Sequence, residues 1–124
     1  MVGIARMRTV VIDCPDPAEL AEFYRQLVGG EITSVEDDWV VLQPEDGPRM
    51  AFQQADEYAA PTWPTAERPQ QFHLDVTIDD IDEAEPAVLA IGATKHDVQP
   101  GEADDDTFRV YLDPAGHPFC LCWD

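Results

Sequence analysis

Among the side chains of this 124-residue chain that can move protons, attack carbon or hold a metal, His73 has the widest range. An imidazole with an ordinary pKa near ~6.5 exchanges a proton at neutral pH, provided a donor or acceptor lies within reach. Tyr111 is a candidate general acid beside it, and Cys120 is a candidate nucleophile that His73 would activate by taking its proton. His73 and Cys120 also begin a soft-metal site, but two ligands fall short of the three or more that catalytic ions take from a protein. Asp75 offers His73 a hydrogen-bond acceptor, Arg109 offers a cation, and Thr9 and Gln53 offer neutral polar groups. Trp39, Trp63 and Tyr111 present aromatic faces, each able to add about 0.5–2 kcal/mol against a well-placed cation. Each of these side chains has a structural use as well: an imidazole bonded to Asp75, an Arg109 paired with an acid on the sheet, a thiol packed as a small hydrophobe. No spacing fixes a catalytic set, so no residue is assigned a catalytic role.

Such groups act together only if regular elements carry them to one place. Residues 8–13 alternate in the period of a strand, with Val10 and Ile12 against Thr9, Val11 and Asp13. Asp16 then suits an N-cap, Pro17 the first helical position and Glu19 the acid of a capping box. Leu20, Phe23, Tyr24 and Leu27 follow at the spacing of one buried helical face, and Gly29-Gly30 stops it. Three strands are expected next, at residues 31–35, 39–43 and 49–53, divided by polar turns. The order then repeats. Residues 72–78 alternate as a strand, 81–91 form a helix stopped at Gly92 and bent in its first turn by Pro86, and strands follow at 94–98, 107–113 and 119–123. Residues 101–106 and 113–118 are the breaks between them. Setting Asp16 over Asp80 lays Thr9 on His73 and brings Gly29 within one position of Gly92. The expected fold is α+β, two tandem βαβββ units at 8–54 and 71–124 in one domain spanning 1–124. Each unit alone lacks a partner for its apolar face. Residues 55–70, rich in Pro and Ala, read as the linker, with a lid as the alternative.

Composition removes several classes of partner. The chain is 44 % apolar, ordinary for a globular protein, but 26 acidic residues against 7 basic ones give a formal charge of -19. That charge repels phosphate backbones and anionic headgroups, so neither nucleic acid nor a membrane surface is expected as a partner; solubility is its commoner use, with attraction of a cationic ligand the alternative. No apolar run matches a signal peptide or a membrane span, which points to the cytoplasm. Cys14, Cys120 and Cys122 make no even disulfide framework and read as reduced thiols. Small domains with open sheet edges gain from association, so a homodimer is expected.

Cys14-Pro15-Asp16-Pro17 leading into Phe23-Tyr24, His73 opening the fifth strand and Asp113-Pro114-Ala115-Gly116-His117-Pro118 before the last recur in the order of one known pattern. Over essentially its full length the chain resembles the glyoxalase/bleomycin-resistance/extradiol dioxygenase family, the vicinal oxygen chelate superfamily. The resemblance implies that the paired units form a curled mixed sheet, an incomplete barrel with a concave cleft. It also implies four cavity-facing strand positions able to hold a divalent metal. Those positions fall on Thr9, His73, Ala51 and Cys120, so only His73 keeps a family ligand and both carboxylates are gone. Moving the register to Gln53 or Cys122 restores no acid.

Strand parity places Thr9, Val11, Asp13, Ala51, Gln53, His73, Asp75, Arg109, Tyr111, Cys120 and Cys122 on the faces away from the helices, a mixed polar surface suited to a solvent-filled cleft. The expected ligand-binding set is therefore His73, Asp75, Gln53, Arg109, Tyr111, Cys120 and Thr9, with Trp39 and Trp63. The expected function is small-molecule binding in the cleft between the two units, with a cationic or aromatic ligand and without a metal or other cofactor. The alternative is a metal-dependent lyase, isomerase or dioxygenase of the same superfamily, using a displaced metal site.

Overall fold

The computed structural model describes residues 1–102 and 106–124. The chain falls into two compact units, Met1–Tyr58 and Ala59–Asp124. Each contains one helix and one four-stranded sheet in the order βαβββ. Part of the expected break at 101–106 lies outside the described residues.

In the first unit, β1 (Thr9–Cys14) runs into α1 (Pro17–Val28), whose start is set by Asp16: its carboxylate accepts the Glu19 N–H at 3.2 Å, and Pro17 takes the first turn. Leu20, Phe23 and Tyr24 bury one face, with Tyr24 stacked on Phe52 at 5.6 Å between centroids. A buried Leu or Phe contributes about 1.5–3 kcal/mol, so this face is enough to hold the helix to the sheet. The chain reverses at Gly29 and Gly30, and a Cβ on Gly30 would stand 2.1 Å from the Gln43 carbonyl oxygen, at a φ of +103°. Only glycine fits there. Strands β2 (Glu31–Val35), β3 (Trp39–Gln43) and β4 (Arg49–Gln54) complete a sheet of order β1-β4-β3-β2, with β1 and β4 parallel.

The second unit repeats the plan with β5 (Leu74–Thr77), α2 (Ile81–Ala90), β6 (Thr94–Lys95), β7 (Phe108–Leu112) and β8 (Pro118–Cys122), in the order β5-β8-β7-β6. Here the helix is held differently. Val88 is the one buried residue of α2, and Pro86 lies inside the helix, where it removes a backbone donor. Polar contacts take up the load: Glu85 accepts the Tyr111 hydroxyl at 2.7 Å and Arg109 at 3.1 Å, with Lys95 at 3.5 Å.

Three strands are shorter than their alternation suggests: β7 loses one residue at each end, while β5 and β6 lose three each. Strand β5 begins at Leu74 because the Phe72 N–H bonds back to the Gln70 carbonyl at 2.7 Å around Gln71, whose φ is +64°. His73 therefore precedes the strand instead of opening it. Strand β6 ends at Lys95 because side chains take over the ladder beyond it. The Val98 N–H bonds to His96 Nδ1, and Gln99 bonds both backbone groups of Val110. Residues 55–70 divide between the units. Ala55 donates to Cys14 in the first, and from Ala59 onward the segment belongs to the second.

Candidate functional site

The β7–β8 hairpin decides what the second unit presents. Asp113, buried at the turn, accepts the N–H groups of Ala115 at 2.9 Å and His117 at 3.0 Å, and its carboxylate meets His117 Nδ1 at 2.8 Å. This fixed turn sets Leu112 opposite Pro118, Val110 opposite Cys120 and Phe108 opposite Cys122. Opposed residues of an antiparallel pair share a face. Phe108, Val110, Cys120 and Cys122 thus look one way, while Arg109 and Tyr111 look toward α2.

On the first of these faces lies a pocket of about 380 Å³ whose lining residues all come from Ala59–Asp124. Its aromatic walls are Trp63, Phe108 and Trp123, its polar groups include Gln70, His73, Asp75 and Thr107, and Val110, Cys120 and Cys122 also line it. Asp75 lies opposite Cys120 in the parallel β5–β8 pair, which brings the carboxylate over the thiol. His73 Nε2 stands 3.1 Å from Asp75 Oδ1, and the two side chains are 39 % and 63 % exposed. Among the described lining residues Asp75 is the one acid, and no Lys or Arg joins it.

Electrostatics narrows the chemistry. Burial pushes the Cys120 thiol up to about 12, and the Asp75 charge, the neighbouring Cys122 and a hydrogen bond with Asp75 push the same way. Cys122 is raised by burial and by Asp75. Both thiols keep their protons at neutral pH, the opposite of what an activated nucleophile needs. The candidate acid–base pair of His73 with Tyr111 is not assembled either. Tyr111 is buried on the helix side, where burial and the Glu85 hydrogen bond hold its phenol well above the usual range. Glu85 is lowered chiefly by that same bond.

The sequence-predicted residues therefore part into three sets. His73, Asp75, Cys120 and Trp63 share the pocket of the second unit. Arg109 and Tyr111 are corrected to the opposite face of that sheet, since counting outward from the turn pairs Val110, not its neighbours, with Cys120. Thr9, Trp39 and Gln53 lie on one face of the first unit's sheet, where Gln53 is opposed to Trp39 and the Arg49 guanidinium donates to Thr9 Oγ1 at 2.9 Å. Phe108, Trp123, Gln70 and Thr107 were not foreseen. The hairpin register would have found Phe108, whereas Gln70 lies outside every strand and Trp123, the last residue of the expected strand at 119–123, falls just beyond the end of β8.

His73, Asp75 and Cys120 also offer one nitrogen, one oxygen and one sulfur within 4.8 Å of one another. Bonds of about 2.0–2.3 Å would require these donors to draw closer together, and the thiol would have to lose its proton. Of the other two family positions, Thr9 offers a hydroxyl already bonded to Arg49 and Ala51 offers nothing. The residues present do not fit the carboxylate-containing centre that the family pattern implies.

Comparison with known proteins agrees with this architecture. The family model described as a glyoxalase-like domain matches residues 9–122. A glyoxalase/bleomycin resistance protein/dioxygenase family enzyme from Burkholderia phytofirmans superposes with a TM-score of 0.71 at 18 % identity, covering 96 % of this chain and 98 % of that one. The fosfomycin resistance protein FosX of Mesorhizobium loti gives 0.67 at 15 % identity, covering 97 % and 92 %. A glyoxalase/bleomycin resistance protein from Albidiferax ferrireducens gives 0.64 at 16 %, covering 97 % and 99 %. At these identities the likeness is one of fold. Curated protein sequences give no match. Among the described residues no helix is long and apolar enough to cross a membrane.

Proposed function

The chain belongs to the glyoxalase-like domain family, and from that premise we propose that it is a small-molecule binding protein whose pocket in the second unit takes an organic cation with an aromatic or apolar body. The observation that carries this reading is Asp75, a half-exposed carboxylate in a pocket walled by Trp63, Phe108 and Trp123 and lined by no described Lys or Arg. The faces of Trp63 and Phe108 attract a cation by about 0.5–2 kcal/mol each, whereas the Trp123 ring already has the Arg109 guanidinium 6.0 Å from its centroid, and the apolar walls favour a body that leaves water. The formal charge of -19 adds a long-range attraction for the same ligand class. No step of covalent chemistry is needed, in keeping with thiols that stay protonated.

Phenyltrimethylammonium is a suitable probe, with tert-butylbenzene as its uncharged isostere, and tryptophan fluorescence reads both. The cation should bind more tightly than the isostere. Asp75→Asn should weaken the cation about fivefold, the ~1 kcal/mol of a partly exposed charge contact, and leave the isostere unchanged. Equal affinity for the two probes, or no effect of Asp75→Asn, would sink the reading.

One observation favours a second reading: the His73, Asp75 and Cys120 donors suit a soft divalent ion better than a hard one. A lyase, isomerase or dioxygenase built on that ion is the enzyme it would make. Calorimetric titration with zinc or nickel separates the readings, because tight stoichiometric binding lost in His73→Ala supports the enzyme.

A further inference from the structure

Trp63 lies outside every regular element, yet it forms a wall of the pocket. Its position needs a cause. The turn that carries it is closed on itself by the Thr62 N–H donating to the Arg68 carbonyl at 2.7 Å and by the Arg68 N–H donating to Thr62 Oγ1 at 2.9 Å. A Cβ at Gly116 would meet that of Ala60 at 2.8 Å, so the start of the same segment packs tightly against the β7–β8 turn. Neither contact touches Trp63 itself.

His96 does. Its Nε2 lies 3.1 Å from the Trp63 carbonyl oxygen, and its ring meets the indole edge-on at 5.0 Å between centroids. Its other nitrogen, Nδ1, accepts the Val98 N–H at 2.9 Å. One nitrogen must be bare to accept and the other must carry the proton to donate, so the two bonds together select the neutral Nε2–H tautomer. The backbone of His96 is fixed equally well. Its N–H donates to the Val110 carbonyl at 3.1 Å, and Gln99 bridges the His96 and Val110 carbonyls through one amide nitrogen, 2.8 Å from each. Val110 lines the pocket, and Trp63 walls it.

We propose that His96 is a positioning residue that ties the Trp63 wall of the pocket to Val110 on β7, making the 59–70 segment a built part of the binding site. The inference rests on the reading of this pocket as the ligand site. Its substance is a division of labour: the Nδ1 bond shapes the turn after β6, and the Nε2 bond together with the ring edge places the indole.

Two conservative variants separate those duties. In His96→Asn the side-chain oxygen can stand in for Nδ1 toward Val98 but is too short to reach Trp63, whereas in His96→Gln the longer amide can reach the Trp63 carbonyl. With Trp39 and Trp123 changed to Phe, the emission of Trp63 is read alone, without any ligand. His96→Asn should shift that emission to the red and raise acrylamide quenching about twofold, and His96→Gln should restore much of the original signal. Unchanged emission and quenching in His96→Asn would overturn the proposal. If His96→Asn does not fold, nitrogen NMR of the unaltered protein decides instead: a protonated Nε2 with bare Nδ1 supports the proposal, and the reverse tautomer overturns it. Phenyltrimethylammonium titration keeps the two ideas apart. No binding to the unaltered protein, with Trp63 still released in His96→Asn, defeats the ligand reading and leaves the positioning role. Binding that survives with Trp63 unmoved in His96→Asn defeats the positioning role alone.

Discussion

Val110 and Cys120 stand directly opposite one another in the β7–β8 ladder, and both side chains look into the pocket of the second unit. Their neighbours Arg109 and Tyr111 consequently meet Glu85 of α2 on the other side. The pairing sets the two faces apart, and only Arg109 also reaches a pocket wall, lying 6.0 Å from the centroid of the Trp123 ring.

Substitutions on the two faces should have opposite signatures. Val110→Phe adds a ring where the pocket is lined, so phenyltrimethylammonium affinity should fall by about tenfold or more, with the overpacking costing about 1–3 kcal/mol of stability. Tyr111→Phe removes a hydroxyl donating to a carboxylate, a bond worth about 1.5–3 kcal/mol, and should lower stability while leaving affinity unchanged. Urea unfolding beside probe titration checks both. Loss of affinity in Tyr111→Phe would mean that its face is part of the site after all.

How much of this was legible in the sequence depends on what kind of signal each residue carries. Helix α1 was readable because Asp16, Pro17, the Leu20–Phe23–Tyr24 spacing and Gly29 all specify the same element, and local and tertiary preferences agree. Strands β2 and β3 have the expected bounds for the same reason. The face of β7 was misread. Its polar residues at 109 and 111 look like a cleft surface until Glu85, 24 positions earlier than Arg109, is known to lie beneath them. No periodicity within β7 reports a partner on another element. Trp63 could be singled out as an aromatic face, but its anchor at His96 depends on a contact 33 residues away, and the side-chain bonds of Gln99 that replace the end of β6 have no sequence signature.

Alkaline pH should destabilise the fold through Cys120. A solvated thiol titrates near ~8.5, and burial beside Asp75 raises this one to about 12 in the folded chain. Between those values the unfolded chain has lost its proton and the folded chain keeps it. The stabilising contribution is therefore complete below pH ~8.5 and lost as pH climbs toward 12. Tyr111, also raised, acts with the same sign above pH ~10. Between pH 8 and 10.5 the unaltered protein should lose about 2–3 kcal/mol more than Cys120→Ala does, read as the difference between two slopes. Parallel slopes would show that Cys120 titrates normally. Iodoacetamide should modify Cys120 far more slowly at pH 8 than an ordinary thiol, following the smaller thiolate fraction.

Metal removal tests the remaining alternative. His73 already meets Asp75 at 3.1 Å, the Cys120 proton is strongly held, and Thr9 and Ala51 bring neither imidazole nor carboxylate to the other family positions. An ion would have to displace that proton and draw three donors together from as far as 4.8 Å apart. The expected behaviour is that of a weak surface site. Dialysis against EDTA should leave both the melting temperature and phenyltrimethylammonium affinity unchanged, and 100 µM zinc should raise the melting temperature by no more than ~2 °C. Mass action sets the contrast, because an ion present at a hundred times its dissociation constant adds about 2.7 kcal/mol to the folded state. For a domain of this size that corresponds to a rise of roughly 8 °C or more. A rise on that scale, specific to one metal and abolished by either His73→Ala or Cys120→Ser, would reverse the order of the two readings and make Asp75 the third ligand.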